Sequence, residues 1–313
     1  MNSDTIHVML SCDENFAQHA GVLIESLLSE AAHPSRIRLF LIDGGITEES
    51  KRKIQTIADA HQASIAFIQI NPEDFEGLYL SHQYSLATYY RLMLGRLLPS
   101  EVRKCIYLDC DMVVCDDIEK LWREDLQGRP LGAVIDYGLM VSAKTFAEKC
   151  RDLGLESRSL YFNAGMLVID LDSWRRVDMD KTAMKLAQSR RFRSHDQDVL
   201  NLLFKDNWTP LSARWNCMPA LYGFNLKLFM HRRRFLGLSD ARKCPGILHF
   251  AGRYKPWEYP EAAGFSDGYY RSLERTPFAE GFEPKPSPQN KGRSLNSELT
   301  RIRIGNLFYG VLS

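Results

Sequence analysis

The sequence predicts an α/β fold: a Rossmann-like, mostly parallel central sheet with helices on both faces, followed by a small C-terminal extension. Two observations carry this expectation. Short apolar strands alternate with helical periodicities over the first 135 residues, and such alternation is what a parallel sheet with crossover helices requires. The residues with the richest chemistry also fall just after strands, where open α/β sheets bind their ligands.

Ile6 to Cys12 is a short apolar strand, and Phe16, Ala20, Leu23 and Leu27 then recur at helical spacing. Arg36 to Asp43 sets Ile37, Leu39 and Leu41 in strand alternation. Thr47-Glu48-Glu49 opens a helix with acidic residues in its first turn, where the helix dipole favours them. Ser64 to Ile70 is a strand, Leu86 to Leu98 a helix ended by Pro99, and Cys105 to Leu108 and Leu131 to Ile135 are buried strands. After about residue 280 the chain turns to Glu283-Pro284-Lys285-Pro286-Ser287-Pro288, a linker composition. The expected division is therefore a domain over residues 1–280 and a linker with a basic, apolar tail over 281–313.

Composition sets the class. A chain of 313 residues can bury a large core. A formal net charge of +1 gives no whole-chain field for nucleic acid. The N-terminus has no basic n-region or long apolar stretch, so no signal peptide is expected. No run approaches the roughly 20 apolar residues that span a bilayer. The seven cysteines are odd in number and none forms a C-x-x-C, which reads as reduced, mostly buried thiols in a cytoplasmic protein.

The chemistry concentrates in two stretches. Ile106-Tyr107-Leu108-Asp109-Cys110-Asp111-Met112-Val113-Val114 places two carboxylates at i and i+2 after an apolar strand. In an extended chain they point the same way, about 6.6 Å apart, and one hard cation can sit between them. The second stretch is His249-Phe250-Ala251-Gly252-Arg253-Tyr254-Lys255-Pro256-Trp257. Imidazole suits Mn²⁺ better than Mg²⁺, so His249 completes a two-carboxylate, one-imidazole set. Gly252 lets backbone approach a phosphate. Lys255 adds a point charge worth about 4 kcal/mol per unit anion charge at ~4 Å and an effective dielectric of ~20. Neither G-x-G-x-x-G nor G-x-x-x-x-G-K-[ST] occurs, so a nucleotide's phosphates need another device, such as a metal ion. Asp109 to Val113 also fits the D-x-D-x-[TV] pattern of Mg²⁺-dependent haloacid-dehalogenase phosphatases. There the motif closes the first strand, whereas several strands precede it here.

Six motifs in order carry a resemblance over residues 5–260: Ser11-Cys12-Asp13-Glu14-Asn15-Phe16, Thr88-Tyr89-Tyr90-Arg91-Leu92, Tyr107-Leu108-Asp109-Cys110-Asp111, Phe162-Asn163-Ala164-Gly165, Asp196-Gln197-Asp198-Val199-Leu200-Asn201, and the His249 stretch. The chain resembles the retaining glycosyltransferases of family 8, which include bacterial lipopolysaccharide galactosyl- and glucosyltransferases and glycogenin. A phosphatase predicts none of the other five motifs. The resemblance implies a GT-A fold, Mn²⁺ with Mg²⁺ as substitute, UDP-galactose or UDP-glucose as donor, and a saccharide or glycolipid acceptor in surface polysaccharide or lipopolysaccharide biosynthesis.

The resemblance also assigns roles. Asp109, Asp111 and His249 hold the metal. Ser11, Asp13, Asn15, Phe16 and Cys110 bind the donor, Asp13 and Asn15 at the uracil and ribose and Phe16 against the base, where relatives often have Tyr. Gly252 and Lys255 contact the phosphates. Arg91, Asp136, Asn163, Asp196 and Gln197 line the sugar pocket. Retention by double displacement needs a carboxylate nucleophile, but the family position nearest the anomeric carbon is the amide Gln197, and Asp196 and Asp198 face away from it. Front-face attack is therefore expected. A second alternative to the transferase is a catalytically silent nucleotide-sugar-binding protein. His231-Arg232-Arg233-Arg234 and the tail residues Arg301 and Arg303, set among Ile302, Leu307, Phe308 and Leu312, suit peripheral association with the inner face of the membrane.

Overall fold

The computed structural model describes residues 5–79, 86–140, 142–156, 159–222, 238–260, 265–288, 290, 291, 300 and 304. Its strands in chain order are β1 (Ile6–Cys12), β2 (Ile37–Asp43), β3 (Ser64–Gln69), β4 (Lys104–Leu108), β5 (Met112–Val114), β6 (Leu131–Ile135), β7 (Phe162–Asp170), β8 (Thr209–Pro210) and β9 (Ile247–His249).

Seven of them form one sheet in the order β3-β2-β1-β4-β7-β6-β8. The half from β3 to β4 is parallel. Strand β7 then runs antiparallel between β4 and β6, and β8 returns parallel to β6. The sheet is mixed and mostly parallel. Strands β1, β2 and β4 are almost wholly buried. Their near-continuous apolar runs follow from cover on both faces.

Helix α1 (Ala17–Glu30) is buried along most of its length and packs on α2 (Glu48–Ala60), on β5 and on the helix Asp267–Leu273. Thr47 caps α2 by accepting from the Ser50 amide. Glu14 adds a second tie, accepting from the Thr47 amide at 2.7 Å and the Ser50 hydroxyl at 2.8 Å. That tie fixes the loop after β1 against the start of α2.

Three expectations change. The stretch over Leu86–Leu98 is a 3₁₀ helix at Leu86–Met93 running into a single α turn at Leu94–Leu97. Its tight winding turns Arg91 inward onto buried acceptors, and Asp180 takes the Gly95 and Arg96 amides at 3.1 and 2.6 Å. The Asp109 and Asp111 pair does not lie in an extended strand: β4 ends at Leu108, the chain bends, and β5 begins at Met112. The Pro-rich segment is tied to the domain, since Lys285 N donates to Trp257 O at 3.2 Å and Glu258 accepts from Asn290 at 2.8 Å. The basic run His231 to Arg234 and the tail residues Arg301, Ile302, Arg303 and 305–313 lie outside the described residues. Among the described residues no helix is long and apolar enough to cross a membrane. All seven cysteines are free thiols.

Candidate active site

Strand β5 pairs antiparallel with β9 in a ribbon outside the main sheet, with Met112 opposite His249. The Phe250 amide donates to Asp111 O at 2.9 Å. This ribbon brings the imidazole to the acidic bend. One ligand atom each of Asp109, Asp111 and His249 lies within 4.8 Å of the others, and no other such cluster occurs among the described residues. His249 Nε2 is 3.2 Å from Asp111 Oδ1. Oxygen and imidazole donors converging on one point suit a hard-to-borderline divalent cation, so the residues fit the ion that the sequence implies.

Cations neutralise the outer faces of these carboxylates. Lys255 Nζ lies 2.6 Å from Asp111 Oδ2 and also donates to Phe250 O at 2.8 Å. Burial by itself raises the Asp111 carboxyl, but the Lys255 ammonium leads the opposing influences that hold the group well below the usual carboxylate range. Arg91 is buried and forked: Nη2 meets Asp109 at 2.7 Å, Nε meets Asp196 at 2.9 Å and Nη1 donates to Ala164 O at 2.6 Å. Its guanidinium also lies over the Tyr107 ring at 4.5 Å. Burial pushes Asp196 up to about 6, against the pull of Arg91 and of Thr88, whose hydroxyl donates to it at 2.8 Å.

A hydrogen-bond network continues from there. Gln197 Oε1 accepts from the Ala164 amide at 3.0 Å and from Asn163 Nδ2 at 3.2 Å. Gln197 Nε2 donates to Asp136 at 3.1 Å and to the Tyr161 hydroxyl at 3.3 Å. Tyr161 donates to Asp198 at 2.6 Å, and Asp198 pairs with the buried Lys149 at 2.7 Å. The helix His195–Leu203 thus sends three successive side chains in three directions: Asp196 to Arg91, Gln197 to β7 and Asp136, and Asp198 to Lys149. Arg91, Asp136, Asn163, Asp196 and Gln197 stand together beside Asp109.

The remaining residues assigned to the donor surround the end of β1. Ser11 donates to Ala87 O at 3.2 Å and lies 3.0 Å from the Tyr107 hydroxyl, which donates to Asp109 at 3.1 Å. Asp13 Oδ1 is buried with no hydrogen-bond partner among the described residues, an acceptor that a ligand N–H or O–H can satisfy. Asn15 is exposed, and Phe16 is 37% exposed, edge-on to His19 and Trp257. Cys110 turns its thiol inward to Ser11 O at 3.3 Å, so only its backbone can face a ligand. Gly252 adopts φ +88°, a left-handed conformation that a β-carbon disfavours.

His19 stacks on Trp257 at 3.7 Å with its Nδ1 2.8 Å from the Tyr269 hydroxyl. Burial first, and then the Lys255 charge, push its pKa down from 6.5 to about 3. The unfolded chain therefore binds this proton near pH 6.5 and the folded chain only near 3. Stability is complete above that window and falls as the pH drops through it. From pH 7.5 to 5.0 this group alone should cost about 2 kcal/mol, and His19→Gln should remove that part of the slope. Urea unfolding at the two pH values tests this; equal slopes in both proteins reject it.

Several contributing side chains carry no sequence signal. Tyr161 and Lys149 sit in segments without a motif. Asn216 is a single amide in a loop, yet its side chain contacts both His249 and Asn163. Tyr107 and Thr88 lie inside motifs, but only the structure shows their hydroxyls on Asp109 and Asp196.

The sequence profile of Glycosyl transferase family 8 matches residues 7–261. General stress protein A of Bacillus subtilis is 29% identical over 287 residues, covering 88% of this chain and 96% of that protein. A lipopolysaccharide 1,2-glucosyltransferase of Escherichia coli is 26% identical, covering 89% of this chain and 80% of that protein. Among solved structures, the galactosyltransferase LgtC in complex with donor and acceptor sugar analogues is similar at a TM-score of 0.75 and 28% identity, covering 92% of this chain and 99% of that one. The fold matches that of LgtC, the GT-A type expected.

Proposed function

Because the chain belongs to glycosyltransferase family 8, we propose that it is a retaining hexosyltransferase that moves galactose or glucose from a UDP-sugar to a saccharide or glycolipid acceptor. Its setting is the cytoplasm, its product a surface polysaccharide or lipopolysaccharide, and its ion Mn²⁺. The observation that carries this reading is the convergence of Asp109, Asp111 and His249 within 4.8 Å, beside the network running from Arg91 to Gln197. A two-carboxylate, one-imidazole site against a polar pocket suits a diphosphate with a sugar attached.

Asp109, Asp111 and His249 would hold the divalent ion, whose Lewis acidity stabilises the UDP leaving group. Every other task falls to side chains. Arg91 holds Asp109 in place. Lys255, on Asp111 in the free protein, offers its ammonium to the phosphates. Asp13 and Asn15 bind the uracil and ribose, and Phe16 covers the base. Asp136, Asn163, Asp196 and Gln197 orient the hexose.

The hydrogen bonds support front-face attack. A double displacement needs a free carboxylate, yet Asp196 is engaged by Arg91 and Thr88, Asp198 by Lys149, Tyr161 and the Ser194 amide, and Asp136 by Gln197 and the Leu139 amide. The acceptor hydroxyl approaches on the leaving-group side, a UDP phosphate oxygen takes its proton, and Gln197 steadies the cationic centre. Gln197 Oε1 already accepts two hydrogen bonds, so it reaches this role by sharing one with the sugar. Gln197→Ala should lower kcat roughly 10²–10³-fold and change UDP affinity less than about threefold. Equal losses in both would sink the role.

UDP release with Mn²⁺ across a panel of UDP-sugars, with EDTA and an Asp109→Ala/Asp111→Ala variant as controls, tests the whole reading. Metal-dependent release from one UDP-hexose supports it and names the donor. UDP binding without release, even with acceptors, points to a silent binding protein. No UDP binding at all rejects the reading.

A further inference from the structure

The tautomer of a metal-binding imidazole decides which nitrogen faces the ion, and a partner on the other nitrogen sets that tautomer. Here the partner is Asn216, which is fully buried and held in its loop by a backbone bond to Ala213 O at 3.1 Å. One side-chain atom, Oδ1, lies 2.8 Å from His249 Nδ1, and the other, Nδ2, lies 2.9 Å from Asn163 Oδ1.

The orientation of these groups follows from a backbone amide that has no alternative. The Gly165 N–H in β7 points at the Asn163 side chain at 3.0 Å, and a backbone N–H can only donate. The Asn163 atom facing it must therefore be the oxygen. That oxygen also faces Asn216, so the Asn216 atom there must be the nitrogen. The remaining Asn216 atom, its oxygen, is then the one at His249 Nδ1. An oxygen there requires a proton on Nδ1, which leaves the Nε2 lone pair directed at Asp111 and the cation site. The opposite tautomer sets two lone pairs against each other inside a dry contact.

We infer that Asn216 is a positioning residue: it locks His249 in the Nδ1–H tautomer and ties the metal site to Asn163 in the sugar pocket. The inference rests on the metal reading given above. A second amide from the same strand fixes the far end. The Ala164 N–H sets Gln197 Oε1, and Asn163 Nδ2 donates to that same oxygen. Two consecutive N–H groups of β7 thus orient Asn163 and Gln197, and through Asn163 also Asn216 and His249. The ion and the sugar are registered to one rigid strand.

Two substitutions separate positioning from packing. Asn216→Ala removes both contacts. Asn216→Asp keeps an acceptor for His249 Nδ1 but sets a carboxylate against Asn163 Oδ1. Mn²⁺ binding to the full-length protein, followed by the electron paramagnetic resonance of the free ion, gives a readout independent of turnover. Asn216→Ala should bind Mn²⁺ roughly 10–100-fold more weakly, while Asn216→Asp stays within about threefold of wild type and releases UDP at least about tenfold more slowly. A packing role predicts instead that both variants lose affinity together, in step with thermal stability. In wild-type protein, ¹⁵N shifts of the histidines, with His249→Gln for assignment, should show His249 protonated at Nδ1. Protonation at Nε2 with Nδ1 bare overturns the inference even if neither variant folds. Unchanged Mn²⁺ binding by Asn216→Ala overturns it too, whereas absence of Mn²⁺ binding by wild type overturns the metal reading itself.

Discussion

Gly165→Ala should nearly abolish turnover in a protein that still folds. Gly165 sits in the buried strand β7, where a β-carbon would lie 2.6 Å from His249 Cε1, 2.8 Å from Asp109 Oδ2 and 3.0 Å from Asn163 Oδ1. The first two are closer than β-carbons come to their neighbours, so something must move. None of the three is the loose end of a flexible chain. His249 is held by Asn216, Asp109 by Arg91 and Tyr107, and Asn163 by Asn216 and Gln197. Gly165 has no positive φ, although β7 shifts register against β6 there, so crowding carries the effect. Overpacking of this kind costs about 1–3 kcal/mol, which a domain of this size can survive. Displacing two candidate ligands at once should weaken Mn²⁺ binding roughly 10–100-fold and lower turnover at least about 10²-fold. Thermal unfolding, Mn²⁺ titration and UDP release measure the three effects. A variant with near-wild-type turnover would show that Asp109, Asn163 and His249 do not act as one site.

Asp111→Asn should lower Mn²⁺-dependent UDP release about 10²–10³-fold, the loss typical of one electrostatic contact to a developing negative charge. Asp111 is central to the charge balance, since His249 lies 3.2 Å from one oxygen and Lys255 2.6 Å from the other. The amide keeps the shape and removes the charge. It leaves Lys255 without its carboxylate partner and the ion with one anionic ligand fewer. Raising the Mn²⁺ concentration should recover part of the lost rate, because an amide oxygen still coordinates weakly. A variant that releases UDP at the wild-type rate, at limiting Mn²⁺, would remove Asp111 from the site.

The residues of these tests were unequally legible in the sequence. Strands β1 to β4 and β6 show as local apolar patterns, and in β1, β2, β4 and β6 burial on both faces of the sheet leaves that mark on the strand itself. Asp109, Asp111 and His249 show as residue types with unusual company. The Thr47 cap and the acidic turn after it are local as well.

Tertiary structure decided the rest, because contacts between distant segments leave no period in either one. Nothing in Phe162 to Asp170 says that this strand runs antiparallel between β4 and β6, yet that placement puts the Ala164 and Gly165 amides at the centre of the site. An apolar segment such as Leu86 to Met93 reads alike as α or 3₁₀ helix; the pull of Arg91 toward Asp109, Asp196 and Ala164 O accompanies the tighter winding. The ribbon of β5 and β9 lies outside the main sheet, and only its pairing explains how Asp111 meets His249. Asn216, Tyr161 and Lys149 are single polar residues whose roles exist only in the company the fold gives them. Residue types and their local spacing say which chemistry to expect of the chain; the fold sets which atoms face one another, since hydrogen-bond direction and ligand geometry are properties of neighbours in space.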